Sequence, residues 1–84
     1  MKFDWHEAKD DEVRARRGLG FRDAVAIFGQ RVVVASDERR DYGEVRMIAV
    51  GRAAGTFYTV VHTDRGDLRW IITAWPSSRK ERAE

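Results

Sequence analysis

Arginine supplies most of the chemistry open to this 84-residue chain. Only Lys2, Lys9 and Lys80 of its 16 lysine and arginine residues are lysine. A guanidinium is a flat, bidentate donor that grips phosphate or carboxylate and stacks on bases, so this composition leans toward anion recognition. A GC-rich genome would give the same bias with no functional meaning. Position says more than number. Arg46, Arg65 and Arg69 fall in the half of the chain that also holds His62 and Glu44. Several arginines around one phosphate stabilise the added charge of a pentavalent transition state without a metal. His62 is a side chain able both to take and to give a proton near neutrality. Together these parts suit cleavage of RNA by attack of a 2′-hydroxyl on its own phosphate. The competing reading is plain: arginines on exposed strands pair with neighbouring acids, and a lone strand histidine is a surface or satisfied residue.

Other chemistries lack their parts. The chain has no cysteine, which excludes disulfides, thiolate metal sites and thiol catalysis. His6 and His62 lie near opposite ends of the chain, without a paired acidic motif, and do not form a metal-ligand set. No metal or cofactor is expected. Ser36, Ser77 and Ser78 are the only serines, the last two reading as helix caps, so a serine triad has no foundation. Gly18-Leu19-Gly20 lacks the third glycine and the preceding strand of a phosphate-binding loop. No apolar run approaches membrane-spanning length and the N-terminus lacks a signal-peptide core, so a cytoplasmic protein without a membrane partner is expected.

The elements that must position these residues follow from periodicity. The length fits one domain, residues 1–84, with one modest core. After a short apolar segment (Phe3, Trp5), Asp4 and Glu7 resemble a capping box that opens a charged helix near His6, running to about Arg17 and ended by Gly18. Phe21, Ala24, Val25 and Phe28 predict a second helix with an apolar face, stopped by Gly29. Strands are predicted over Arg31–Ala35, Glu44–Val50, Thr56–Thr63 and Leu68–Ala74, the last three joined by glycine-bearing hairpins. Ser78 and Glu81 form a second capping box for a short terminal helix. The expected fold is α+β: two N-terminal helices packed on a four-stranded antiparallel sheet, with a short C-terminal helix.

Side chains alternate across a strand, so parity sorts them. It allows Arg46, Arg69 and His62 to share the face that the helices leave open, with Arg65 at the adjoining turn and Glu44 nearby. Parity also sends Trp70 and Trp75 to opposite faces, Trp70 to the core and Trp75 to the edge, where it would stack a base or anchor a protein. The positive excess lies beyond residue 45, which makes the C-terminal half the face for an anionic partner.

In order and spacing, several runs resemble the BrnT family of toxins: Trp5-His6-Glu7-Ala8-Lys9, Arg16-Arg17-Gly18-Leu19-Gly20-Phe21, Asp23-Ala24 with Phe28, Glu44-Val45-Arg46, Val50-Gly51, Val60-Val61-His62-Thr63-Asp64-Arg65 and Ile71-Ile72-Thr73-Ala74, ending at Glu81. The resemblance implies a RelE-like fold and a ribonuclease that halts translation as the toxin of a type II toxin–antitoxin system. It also implies a BrnA-like ribbon-helix-helix antitoxin that binds operator DNA, so that toxin meets DNA only indirectly, within a hetero-oligomer. Lys9, Glu44, Arg46, Arg65, Arg69 and Glu81 stand where the family has the same residue type. Lys9, Arg16, Arg17, Arg79 and Trp75 are the residues expected to contact RNA, with Arg46, Arg65, Arg69, His62 and Glu44 as the catalytic set. The chain departs from the family pattern at Arg16-Arg17-Gly18 (commonly Lys-His-Gly), Val13 (Asn), Arg40-Asp41 (His-Ser), His62 (Tyr) and Trp75 (Arg). These departures leave two readings open, a variant catalytic site or an impaired member that binds protein or RNA.

Overall fold

The computed structural model describes residues 1–38 and 43–77. Its elements in chain order are β1 (Lys2–Trp5), α1 (Glu7–Arg17), α2 (Phe21–Ala24), a 3₁₀ segment (Val25–Gly29), β2 (Val32–Ser36), β3 (Met47–Ala53), β4 (Thr56–Arg65) and β5 (Leu68–Pro76). The strands form one sheet in the order β1-β5-β4-β3-β2. β1 runs parallel to β5, and the other pairs are antiparallel. The fold expectation is corrected here: the sheet is five-stranded and mixed rather than four-stranded and antiparallel. The extra strand is the N-terminal apolar segment, in which Phe3 and Trp5 alternate with Lys2 and Asp4. That alternation gives it one face to bury, and it adds to the exposed edge of β5. The second helix is also shorter than its apolar face predicts. Only Phe21–Ala24 is α-helical, and the chain tightens to 3₁₀ where β-branched Val25 and Ile27 and then Gly29 weaken helix propensity. The predicted terminal helix from Ser78 lies outside the described residues.

α1 begins and ends near its predicted bounds, but it is not opened by a capping box. Asp4 belongs to β1, where its Oδ1 accepts the Trp5 N–H at 2.8 Å, and the N-cap residue His6 makes no side-chain cap bond. Gly18 closes the helix as expected, with φ 76° and its N–H donated to Arg14 O at 2.8 Å. The start of α2 is held from α1. The buried Asp10 carboxylate accepts the Phe21 N–H at 2.7 Å and pairs with Arg14 at 3.3 Å. Its other helper is local, the Gly20 N–H donating to Asp23 Oδ2 at 3.0 Å.

The core lies between the helical layer and one face of the sheet. Phe21 and Ile27 from the helical layer pack over Ala49, Val60, Ile71 and Ala74 from the strands. Gly51 is required where β3 passes beneath the 3₁₀ segment: a Cβ there would come within 2.8 Å of Val32 Cγ1 and 3.0 Å of Ile27 Cβ. The β4–β5 ladder contains an irregularity. Val61 pairs with Thr73, whereas His62 pairs with Ile71, so Ile72 is one residue extra on β5.

Candidate functional site

β4 sorts the expected site residues by parity, His62 and Asp64 toward one face and Thr63 and Arg65 toward the other. His62 pairs with Met47 and Ile71, in the face that carries Ala49, Val60 and the helical layer. Arg65 therefore lies on the far face, away from the helices.

On that far face the sequence expectation is met in part. Glu44 receives one arginine from its own loop and one from β4: Arg46 Nε lies 3.8 Å from its Oε1, and Arg65 Nη2 lies 3.5 Å from its Oε2. Both separations exceed a tight charge-assisted hydrogen bond, and Arg65 is 56% exposed. The Arg65 guanidinium also sits over the Trp70 ring, 5.5 Å from its centroid. The Thr63 hydroxyl donates to the Val45 carbonyl at 2.8 Å and ties the segment bearing Glu44 to β4. Glu44, Arg46, Arg65, Thr63 and Trp70 thus form one neighbourhood of two cations, a carboxylate and an indole.

Arg69 and His62 are not part of it, which corrects the expectation of a single shared face. Asp64 accepts a two-pronged pair from Arg69, Nε at 2.8 Å and Nη2 at 2.9 Å, and lies 3.1 Å from His62 Nδ1. The Arg69 guanidinium stacks on Phe28, 4.6 Å from the ring centroid, and His62 meets the same ring edge-on at 5.4 Å. His62 is only 1% exposed, and its Nε2 is buried with no hydrogen-bond partner. Burial first, and then the Arg69 charge, lower its pKa below the ordinary histidine value, against the opposing pull of Asp64. The Asp64 carboxyl is itself held low, chiefly by the hydrogen bonds from Arg69. This is an imidazole kept neutral inside the fold.

The tryptophans are also re-sorted. Trp70 pairs with Thr63 and Trp75 with Thr59, and the extra residue between them inverts the parity. Both belong to the far face, which corrects the assignment of Trp70 to the core. Lys9, Arg16 and Arg17 lie on α1, in the helical layer, where Arg16 pairs with Glu12 at 3.1 Å. Arg79 and Glu81 lie outside the described residues. Asp64 and Trp70 are the functional neighbours that sequence reasoning missed. For Asp64 the available signal was its i+2 spacing from His62, which places both on one strand face. Among the described residues, Glu7, Asp10 and Asp11 bring carboxylate oxygens within 4.8 Å of one another. Asp10 is already committed to Phe21 and Arg14.

The family comparison matches residues 5–81 to the model described as the ribonuclease toxin BrnT of type II toxin–antitoxin systems. The chain belongs to the BrnT family. The match spans nearly the whole chain, so both residue clusters lie within it, and a toxin of this class implies an antitoxin as partner. No curated protein sequence matches the chain. Among the described residues, no helix is long and apolar enough to cross a membrane.

Proposed function

We propose that this BrnT-family chain cleaves RNA without a metal at the far-face cluster and so inhibits translation until a BrnA-like ribbon-helix-helix antitoxin covers it. The observation that carries the reading is the approach of Arg46, in the loop just before β3, and of Arg65, on β4, to the one partly exposed carboxylate of Glu44. Arg46 and Arg65 would hold the non-bridging oxygens of the scissile phosphate and meet the charge that grows there. Glu44, between them, is placed to take the proton from the attacking 2′-hydroxyl. The 2′-oxygen then bonds to phosphorus, the bond to the 5′-oxygen breaks, and that oxygen takes its proton from solvent. The products are a 2′,3′-cyclic phosphate and a 5′-hydroxyl. Trp70 offers its ring face to the Arg65 guanidinium 5.5 Å away, and Trp75 on the same face offers a ring for a neighbouring base.

Arg69 and His62 enter this reading as positioning residues. Their ties to Asp64 brace, from the opposite side, the end of the β4–β5 hairpin that carries Arg65. Lys9, Arg16, Arg17 and Arg79 act as general attraction for RNA rather than at the cleaved linkage.

RNA degradation by the purified protein in excess chelator tests the proposal. Arg46→Ala or Arg65→Ala alone is expected to lower the cleavage rate by about 10²–10³-fold, the effect of removing one preorganised transition-state donor. Undiminished activity in the double variant would remove the site. One observation favours a second reading, a catalytically impaired member that binds RNA or protein: the single imidazole expected to shuttle protons is shut inside the fold. In that case RNA binds but is not cut, and affinity falls steeply with salt.

A further inference from the structure

The two edges of the sheet are built differently. β1 has four residues and carries Lys2 and Asp4, a short charged edge of the kind that resists further pairing. β2 reads Val32-Val33-Val34-Ala35-Ser36, with no proline and no charge, and Val33 and Val34 are 62% and 44% exposed. Its backbone is ordered for one more partner. The Asp37 N–H donates to Arg46 O at 2.7 Å, and this pair continues the β2–β3 register. Hydrogen-bonded pairs alternate along an antiparallel ladder. Val33 and Ala35 therefore bond inward to β3, while Val32, Val34 and Ser36 turn N–H and C=O outward.

We propose that β2 pairs with β2 of a second copy of this chain, antiparallel about Val34, joining two sheets into one. A two-fold axis normal to the sheet demands that paired residues share a face, and pairing about Val34 satisfies this while using every residue of the strand. Val34 meets its own copy and Val32 meets Ser36, all of them outward-bonding residues, so each outward group finds a partner. Val33 meets Ala35, covering the apolar surface that is now exposed. The same register brings the exposed Arg31 to the end of the partner's strand that continues through the buried Asp37 to the exposed Glu38, and symmetry repeats the approach. A generic apolar strand would not carry opposite charges at its two ends in the order that self-pairing needs.

Sedimentation equilibrium of the full chain tests this, with circular dichroism as a check on folding. The wild-type chain is expected to be a concentration-dependent dimer. Val34→Pro deletes an N–H that β3 does not use, so it should leave the fold intact and weaken the dimer by roughly tenfold or more, the equivalent of one or two hydrogen bonds. Arg31→Glu should also weaken it, and Arg31→Glu with Glu38→Arg should restore it. A wild-type monomer at all concentrations overturns the proposal. So does a dimer indifferent to Val34→Pro and Arg31→Glu, or a β2 edge protected from hydrogen exchange only when the antitoxin is added.

Discussion

At the scale of single residues, the sheet divides two roles that one surface was expected to combine. Glu44 gathers Arg46 and Arg65 on the face away from the helices, while Asp64 gathers Arg69 and His62 against Phe28. The second group has a consequence for stability. The unfolded chain binds a proton at His62 near its ordinary pKa of 6.5, whereas the folded chain binds it only at lower pH. More protons on the unfolded state means that acid favours unfolding. Stability should therefore fall as pH drops through and below 6.5, by no more than about 1.4 kcal/mol per pH unit for this one proton. Asp64 adds a lower window, because its folded carboxyl is held below 3.8: its contribution is present above 3.8 and is lost as pH falls from there through the depressed folded value. Urea midpoints between pH 8 and 5 check the upper window, and His62→Gln should flatten it. Asp10 makes a separate prediction. Asp10→Ala leaves the buried Phe21 N–H without its acceptor, and the loss should be about 1–3 kcal/mol, read as a lower thermal midpoint.

At the scale of elements, what the sequence made legible was whatever a single period could carry. The span of α1, the glycine that ends it, the hairpin meander and the pairing of Arg46 with Glu44 all follow from local pattern. The rest depended on events between elements. Nothing local announces that Ile72 is one residue too many on β5, yet that bulge moves Trp70 and Trp75 to the same face. Nothing local shows that Phe3 and Trp5 complete a parallel pair with β5, since the partner strand lies more than sixty residues away. Nor does the alternation around His62 reveal which face the 3₁₀ segment covers. The β3–β4 turn offers a test at this scale. β3 runs to Ala53 and β4 starts at Thr56, so Ala54 and Gly55 turn the chain, with φ of 50° and 82°. This is the two-residue geometry in which both positions are left-handed. Alanine is strained there, and Ala54→Asn, which tolerates that region, is expected to raise stability by about 0.5–1 kcal/mol without loss of RNA cleavage, measured by denaturant unfolding and the chelator assay.

At the scale of the whole molecule, the sheet acts as a partition between two sets of cations. Lys9, Arg16 and Arg17 ride on the helical layer, and Arg46 and Arg65 occupy the opposite face. The Cα extents of the chain are 32 × 29 × 24 Å, so an RNA strand touching both sets would have to wrap around an edge. The proposed site predicts that the cleaved segment stays on the far face. Each phosphate neutralised on a single strand contributes roughly −0.7 to the slope of log affinity against log salt. Arg46 and Arg65 share one phosphate, so removing them together should make that slope shallower by about 0.7. Replacing Lys9, Arg16 and Arg17 with alanine should lower affinity at low salt and leave the cleavage rate at saturating RNA unchanged. Titrations of a short, uncleavable 2′-deoxy-substituted RNA at several salt concentrations measure both effects. If the α1 variants abolish cleavage at saturating RNA while the Arg46 and Arg65 variants leave both slope and rate unchanged, RNA is cut on the helical layer and the far-face site is misplaced. If the slope falls with Arg46 and Arg65, the face carrying those two arginines and both tryptophans is also the face that the antitoxin must cover to silence the toxin.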